Sequence, residues 1–239
     1  VLGRFHEIGI STRDIRASVE FYERLGFVQA TTGDTWAHPY GVLTDGRVAI
    51  GLHQHSFDSP RITFVREGIA AHAEKLEALG IEFAYRHTGE DVFHEVGFRD
   101  PAGQMVNVIE ARTYSPLSRQ RYEESLCGYF TELSLPSADF EAGRIFWERL
   151  GFVATEEVDA PYVHMTLVSD HLDLAFHRPR TLDRPMLVFS DPAMRERIAR
   201  LRELEIPLSN ELPRGLNASS SALIEAPEGT LLLLLEQDT

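Results

Sequence analysis

The sequence predicts an α+β fold built from four βαβββ units arranged as two tandem halves. Three observations carry this. Residues 5–28 and 130–153 repeat one another at a spacing of 125, with ERLGFV identical in both copies. Segments that alternate apolar and polar residues, the signature of half-buried strands, recur throughout the chain. Between them lie single stretches with apolar residues on one helical stripe, each closed by glycine or by an equivalent break. A self-match at fixed spacing sets the architecture before any local pattern does.

In chain order, Ile8 and Ile10 take one face of a first strand, and Glu7, Gly9 and Ser11 the other. By the same alternation His6 faces the helix side. Thr12 or Asp14 caps a helix whose Ile15, Val19, Tyr22 and Leu25 form one stripe, and Gly26 ends it. Strands follow near residues 27–30, 41–44 and 47–53, the last two joined by the Asp45-Gly46 turn. The pattern restarts at Arg61: a strand, a helix with Ile69, Ala73, Leu76 and Leu79 on one face, then Gly80. Strands near 81–86, 91–98 and 105–110 complete the unit, with Asp100-Pro101-Ala102-Gly103 as a turn. Residues 113–127 break the alternation and read as a linker between a first domain at 1–112 and a second at 128–239. In the second domain, units at 128–178 and 184–236 match the first two. Asp191-Pro192 reads as the N-cap and first position of the fourth helix.

Of 239 residues, 43% are apolar and 25% charged, as in a soluble globular protein. A formal net charge of −14 argues against nucleic acid or an anionic membrane as partner. Cys127 is the only cysteine, which excludes an intrachain disulfide and a multi-cysteine metal centre. No secretory leader or membrane-length apolar run is evident, so the expected location is cytoplasmic. P-loop, dinucleotide and nucleophile-elbow motifs are absent.

Asp14, Ser18, Phe21, Tyr22, Leu25, Gly26 and Phe27, with Asp100, Pro101 and Gly103 about eighty residues on, resemble the vicinal oxygen chelate superfamily. That superfamily takes in glyoxalases, bleomycin-resistance proteins and extradiol dioxygenases. The second copy keeps Asp139, Phe146, Trp147, Leu150, Gly151, Phe152, Pro227 and Gly229, but has Gly143 for the serine and Ala226 for the aspartate. The resemblance implies paired units curling into cups, each holding a divalent metal (Zn, Ni, Mn or Fe) that chelates two substrate oxygens. It places candidate metal or catalytic positions at Glu7 and Glu132 on first strands, and at His53 and His177 on the strands that close the first and third units. In the second unit it points to Ser59 or Arg61 and to Asn107, and in the fourth to Arg184 and Leu233. Which units share a cup stays open: units one and two, or two and three.

Neither pairing collects the usual histidine and carboxylate set. Arg61 or Arg184 would repel a cation and could instead pair with Glu7 or Glu132. His53 and His55 form an H-x-H, which reads first as a strand end running into a polar loop and only second as a chelating pair. Trp36, His38 and Tyr40, with Tyr162 and His164 matching, would overhang a cup as aromatic walls, although core packing is the commoner fate of such residues. The expectation is a small-molecule-binding protein with a degenerate or absent metal site. Its ligand contacts would come from Trp36, Tyr40, His53, Arg61, Asn107, His177 and Arg184, in a monomer or homodimer. The alternatives are a metal-dependent lyase or thiol transferase using Glu and His in one cup, and a protein whose cups are filled by its own side chains. Leu231, Leu233 and Leu235 favour that last state for the second half.

Overall fold

The computed structural model describes residues 1–31, 36–110 and 124–237. The first half runs β1 (Arg4–Ser11), α1 (Ile15–Arg24), β2 (Val28–Ala30), β3 (Tyr40–Thr44), β4 (Ala49–His53), β5 (Arg61–Arg66), α2 (Ile69–Ala78), β6 (Phe83–His87), β7 (Glu95–Arg99) and β8 (Met105–Glu110). The second runs β9 (Tyr129–Pro136), α3 (Phe140–Arg149), β10 (Val153–Ala154), β11 (His164–Val168), β12 (Leu174–His177), β13 (Met186–Asp191), α4 (Met194–Glu203), β14 (Ser221–Glu225) and β15 (Leu231–Glu236).

The eight strands of the first half form one sheet ordered β2-β3-β4-β1-β5-β8-β7-β6, and the second half forms a seven-stranded sheet ordered β10-β11-β12-β9-β13-β15-β14. Units one and two therefore share a sheet, as do units three and four, which settles the pairing. In each sheet the two first strands lie side by side and antiparallel (β1 with β5, β9 with β13), each flanked by a parallel partner. The fourth unit departs from expectation. Residues 207–220 form no strand where β6 stands in the second unit; instead Leu212 and Leu216 fold back onto the sheet.

Helix starts follow local chemistry. The Asp14 carboxylate accepts from the Ala17 backbone N–H at 3.1 Å, and Asp139 accepts from Ala142 at 3.0 Å. Asp191 does not cap as expected. It closes β13, and its side chain accepts from Ala193 N–H and pairs with Arg197, so the fourth helix begins at Met194.

The helix-facing sides of both sheets share one apolar core, joined by contacts such as Phe27 with Phe189 and Phe98 with Phe146. Two polar contacts lock the halves in a reciprocal way. The Trp147 indole on α3 donates to Asp100 in the first half's closing turn. Ser18 and Tyr22 on α1 donate to the two oxygens of Glu228 in the second half's closing turn. Of the expected linker, residues 113–123 lie outside the described part. Leu126 donates its backbone N–H to Leu25, and Cys127 is fully buried, its thiol pushed up to about 12 by burial. No helix among the described residues is long and apolar enough to cross a membrane.

Candidate functional site

Strand register defines the concave face of the first sheet. Glu7 stands opposite Thr63, Thr63 beside Asn107, and Asn107 opposite Gly97, a row that crosses four strands. A β-bulge between Phe5 and Glu7 interrupts the alternation on β1. Phe5 thereby packs on Phe64 in the core while Glu7 still points into the cup. The bulge also brings the His6 ring to 4.0 Å from the Glu7 carboxylate, so His6 belongs to the cup side, contrary to the alternation. The same irregularity recurs at Val188/Phe189 against β9, where it serves Glu132.

Glu7 is fully buried, and its place exists because residue 51 is glycine: a Cβ there would lie 1.9 Å from Glu7 Oε2. Tyr40 donates its hydroxyl to Oε2 at 2.6 Å, and His53 Nε2 donates to Oε1 at 2.7 Å. Burial pushes the carboxyl up. The bond and charge of His53, then the His6 ring and Tyr40, outweigh it and hold Glu7 below the usual carboxylate range. The other ring nitrogen of His53, Nδ1, lies within hydrogen-bond distance of His38 Nε2, at 2.9 Å. His38 stacks on His55 at 4.9 Å, and its pKa is lowered by burial and by the neighbouring His53, His55 and Arg61. Trp36 meets the His53 ring edge-on at 4.9 Å. Trp36, His38 and Tyr40 thus gather around the His53 ring.

Across the cup, the Arg61 guanidinium lies 4.2 Å over the Phe57 ring. It also bonds to Tyr85, whose hydroxyl donates to Asn107 Oδ1 at 2.9 Å. Burial and the charge of Glu95 push the Tyr85 phenol up to about 12, against the pull of Arg61. Gly97 makes room for the Tyr85 ring, which would stand 2.3 Å from a Cβ at that position. Among the described residues, nothing hydrogen-bonds to four buried polar atoms on this side of the sheet: Arg61 Nε, Thr63 Oγ1, Asn107 Nδ2 and Trp36 Nε1. Patterning locates these residues; their unmatched atoms could not be read from sequence, because hydrogen-bond partners come from other strands.

The second cup is different. Tyr162, Met186, Val188, Leu223, Leu231 and Leu233 form a buried cluster on its floor, with Leu212 and Leu216 packed against it. Among the described residues Glu132 keeps a single side-chain bond, from Thr166 at 3.0 Å, and burial, helped by the Asp173 charge, pushes its carboxyl up to about 7. His177 does not reach Glu132. Its Nε2 donates to the Leu182 carbonyl, its Nδ1 accepts from Ser134, and burial draws its pKa down to about 4. Arg184 pairs with Glu225 at 2.8 Å, and among the described residues neither Arg184 nor Arg61 forms an ion pair with Glu7 or Glu132. A cleft of about 1140 Å³ opens between the halves rather than over Glu7. His55 and Phe57 line both this cleft and the rim of the first cup. The charges along the cleft are largely spent on protein partners: Arg99 on Asp58, Arg184 on Glu225, Glu228 on Ser18 and Tyr22.

Residues 4–108 match the family described as Glyoxalase/Bleomycin resistance protein/Dioxygenase superfamily. The match covers the first half of the chain, residues 4–108. The second half repeats the arrangement of that half's sheet, with β9 beside β13 as β1 stands beside β5. No curated protein sequence is significantly similar. Among solved structures, a catechol 2,3-dioxygenase superposes with a TM-score of 0.63 at 16% identity, over 98% of this chain and 88% of that one. A variant of homoprotocatechuate 2,3-dioxygenase from B. fuscum, solved with HPCA, gives 0.64 at 17% identity over 99% and 72%. The 2,3-dioxygenase LapB from Pseudomonas sp. KL28 gives 0.61 at 15% over 99% and 92%. At these identities the likeness is one of fold.

The superfamily implies a metal, and the register decides where it would sit. Within the first half, Gly26 and Gly80, Glu7 and Arg61, and His53 and Asn107 are each 54 apart. The second unit's first-strand position is therefore Arg61, not Ser59. The set is Glu7, His53, Arg61 and Asn107. A permanently charged guanidinium occupies one of the four positions, the Asn107 oxygen is taken by Tyr85, and Glu7 and His53 are bonded to each other. In the second half the matching residues are Glu132, His177, Met186 and Leu233. Neither set fits a divalent ion.

Proposed function

We propose that the chain is a small-molecule-binding protein that works without a metal. Residues 1–112 would form the binding half and residues 128–239 a counterpart whose cup is closed by its own leucines. The observation that carries this is the pair of unlike floors. The first sheet presents Glu7, His53, Asn107 and unmatched buried donors beneath Trp36, Tyr40 and Phe57, while the second presents Met186, Val188 and Leu233. Aromatic walls around a few fixed polar groups suit a compact, largely apolar ligand. Glu7, ionised and held by two donors, orients His53 rather than acting on a ligand itself. Glu132 and His177 each serve their own sheet.

The test is metal analysis of chelator-free protein beside a ligand screen read by Trp36 fluorescence and thermal shift. Metal-free protein with a ligand-dependent quench that disappears in Trp36→Phe is the expected result. Stoichiometric Zn, Ni, Mn or Fe, lost in Glu7→Gln, would overturn it in favour of a metal-dependent lyase or transferase.

A further inference from the structure

A cation site and an anion site differ in the sign of the groups that line them, and the first cup has the second kind. Arg61 carries the charge. It is half-buried, and among the described residues no carboxylate lies within ion-pairing distance of it. The nearest acidic groups on the packed strands are already engaged: Glu7 with His53 and Tyr40, Glu95 with His87. Arg61 Nε is enclosed and unmatched. Beside it, the orientation of Asn107 follows from its neighbour. Tyr85 donates its hydroxyl to Asn107 Oδ1, which leaves Nδ2 as a donor with no acceptor among the described residues. Asn107 is completely buried, and a buried donor left unmatched costs about 1–3 kcal/mol until something accepts its bond.

We propose that Arg61 and Asn107 form an anion-binding site at the superfamily's metal position, taking the carboxylate of a small planar acid. Phe57 and Tyr85 flank the guanidinium and supply apolar surface for the body of that acid. The donors replace chelation by charge-assisted hydrogen bonds, the strong kind. This rests on the reading that the first cup binds a small molecule, and it names the ligand class.

The experiment titrates the full chain at pH 7 with benzoate and with its neutral counterpart benzamide, by calorimetry. Benzoate should bind at least roughly tenfold more tightly, the worth of one charge-assisted bond. Arg61→Met should erase that preference, Asn107→Asp should abolish benzoate binding, and Arg61→Lys should restore part of it. Arg184→Met, at a residue that lies in the cleft and pairs with Glu225 on the second sheet, should leave it intact. Circular dichroism and urea melts confirm that each variant is folded. Equal binding of the two probes, no benzoate binding at all, or benzoate binding unchanged in Arg61→Met overturns the proposal. Loss in Arg184→Met with retention in Arg61→Met does so too, by moving the anion to the cleft. If neutral ligands alone quench Trp36, the anion site fails and the binding reading stands; if nothing quenches it, both fall.

Discussion

Replacing Gly51 by alanine tests whether Glu7 is held where the structure places it. The added Cβ would lie 1.9 Å from Oε2, 2.2 Å from Cδ and 2.6 Å from Oε1 of Glu7. Van der Waals contact needs well over an ångström more, so the carboxylate must leave Tyr40 and strain its bond to His53. A hydrogen bond to a charged group contributes about 1.5–3 kcal/mol, and overpacking adds about 1–3. Alanine returns about 0.4–1 kcal/mol by restricting the unfolded chain. The net expectation is a loss of about 3–4 kcal/mol. Urea denaturation of the single variant, of Glu7→Ala and of the double variant closes the cycle. Once Glu7 is alanine the obstruction is gone, so Gly51→Ala should cost almost nothing, a coupling of about 3 kcal/mol. A Gly51→Ala cost that is the same in both backgrounds would refute the buried-carboxylate account.

Glu132 predicts a pH dependence. Its folded pKa of about 7 lies above the ordinary 4.5, so the folded state keeps a proton that the unfolded chain releases. Stability should fall as pH rises from about 4.5 through about 7, by up to roughly 3 kcal/mol, and Glu132→Gln should remove that decline in urea melts run across the range. His177 acts in the opposite sense: folded at about 4 against an ordinary 6.5, it costs stability below pH 6.5, so the Gln-minus-native difference is the quantity to read. Leu233→Ala should destabilise by about 2–5 kcal/mol and leave benzoate binding unchanged, because the second cup is packed rather than open. Glu228→Gln sets an amide N–H₂ against hydroxyl donors, either Ser18 on one oxygen or Tyr22 and Thr230 on the other; a loss of about 1–2 kcal/mol in thermal or urea melts is expected, with ligand binding in the first cup retained.

How far the sequence reaches is visible at single residues. The 125-residue repeat, the period-two strands and the capping aspartates at 14 and 139 make the four units legible, because each rests on contacts within a few residues or on a direct copy. Asp191 looks like the same cap and is not one; its backbone continues β13 against β15, and pairing with a distant strand outweighs a local preference. Residues 207–220 resemble the second unit's course but serve instead to bury Leu212 and Leu216 on the second sheet.

In the site, Glu7, His53, Arg61 and Asn107 are named by counting from motifs, since position along a repeat is a one-dimensional property. The motifs left Ser59 beside Arg61; the 54-residue spacing within the first half and the antiparallel register of β1 and β5, which sets Arg61 opposite Gly9, both choose Arg61. Which groups touch is decided in three dimensions. The bulge that turns His6 toward Glu7, the glycine that admits its carboxylate, the commitment of Arg184 to Glu225 and the unmatched amide of Asn107 all arise between strands far apart in the chain. Alternation fixes the face on which a side chain stands; whether a charge there meets a partner, a cation or a ligand's oxygen depends on the strands the fold sets beside it.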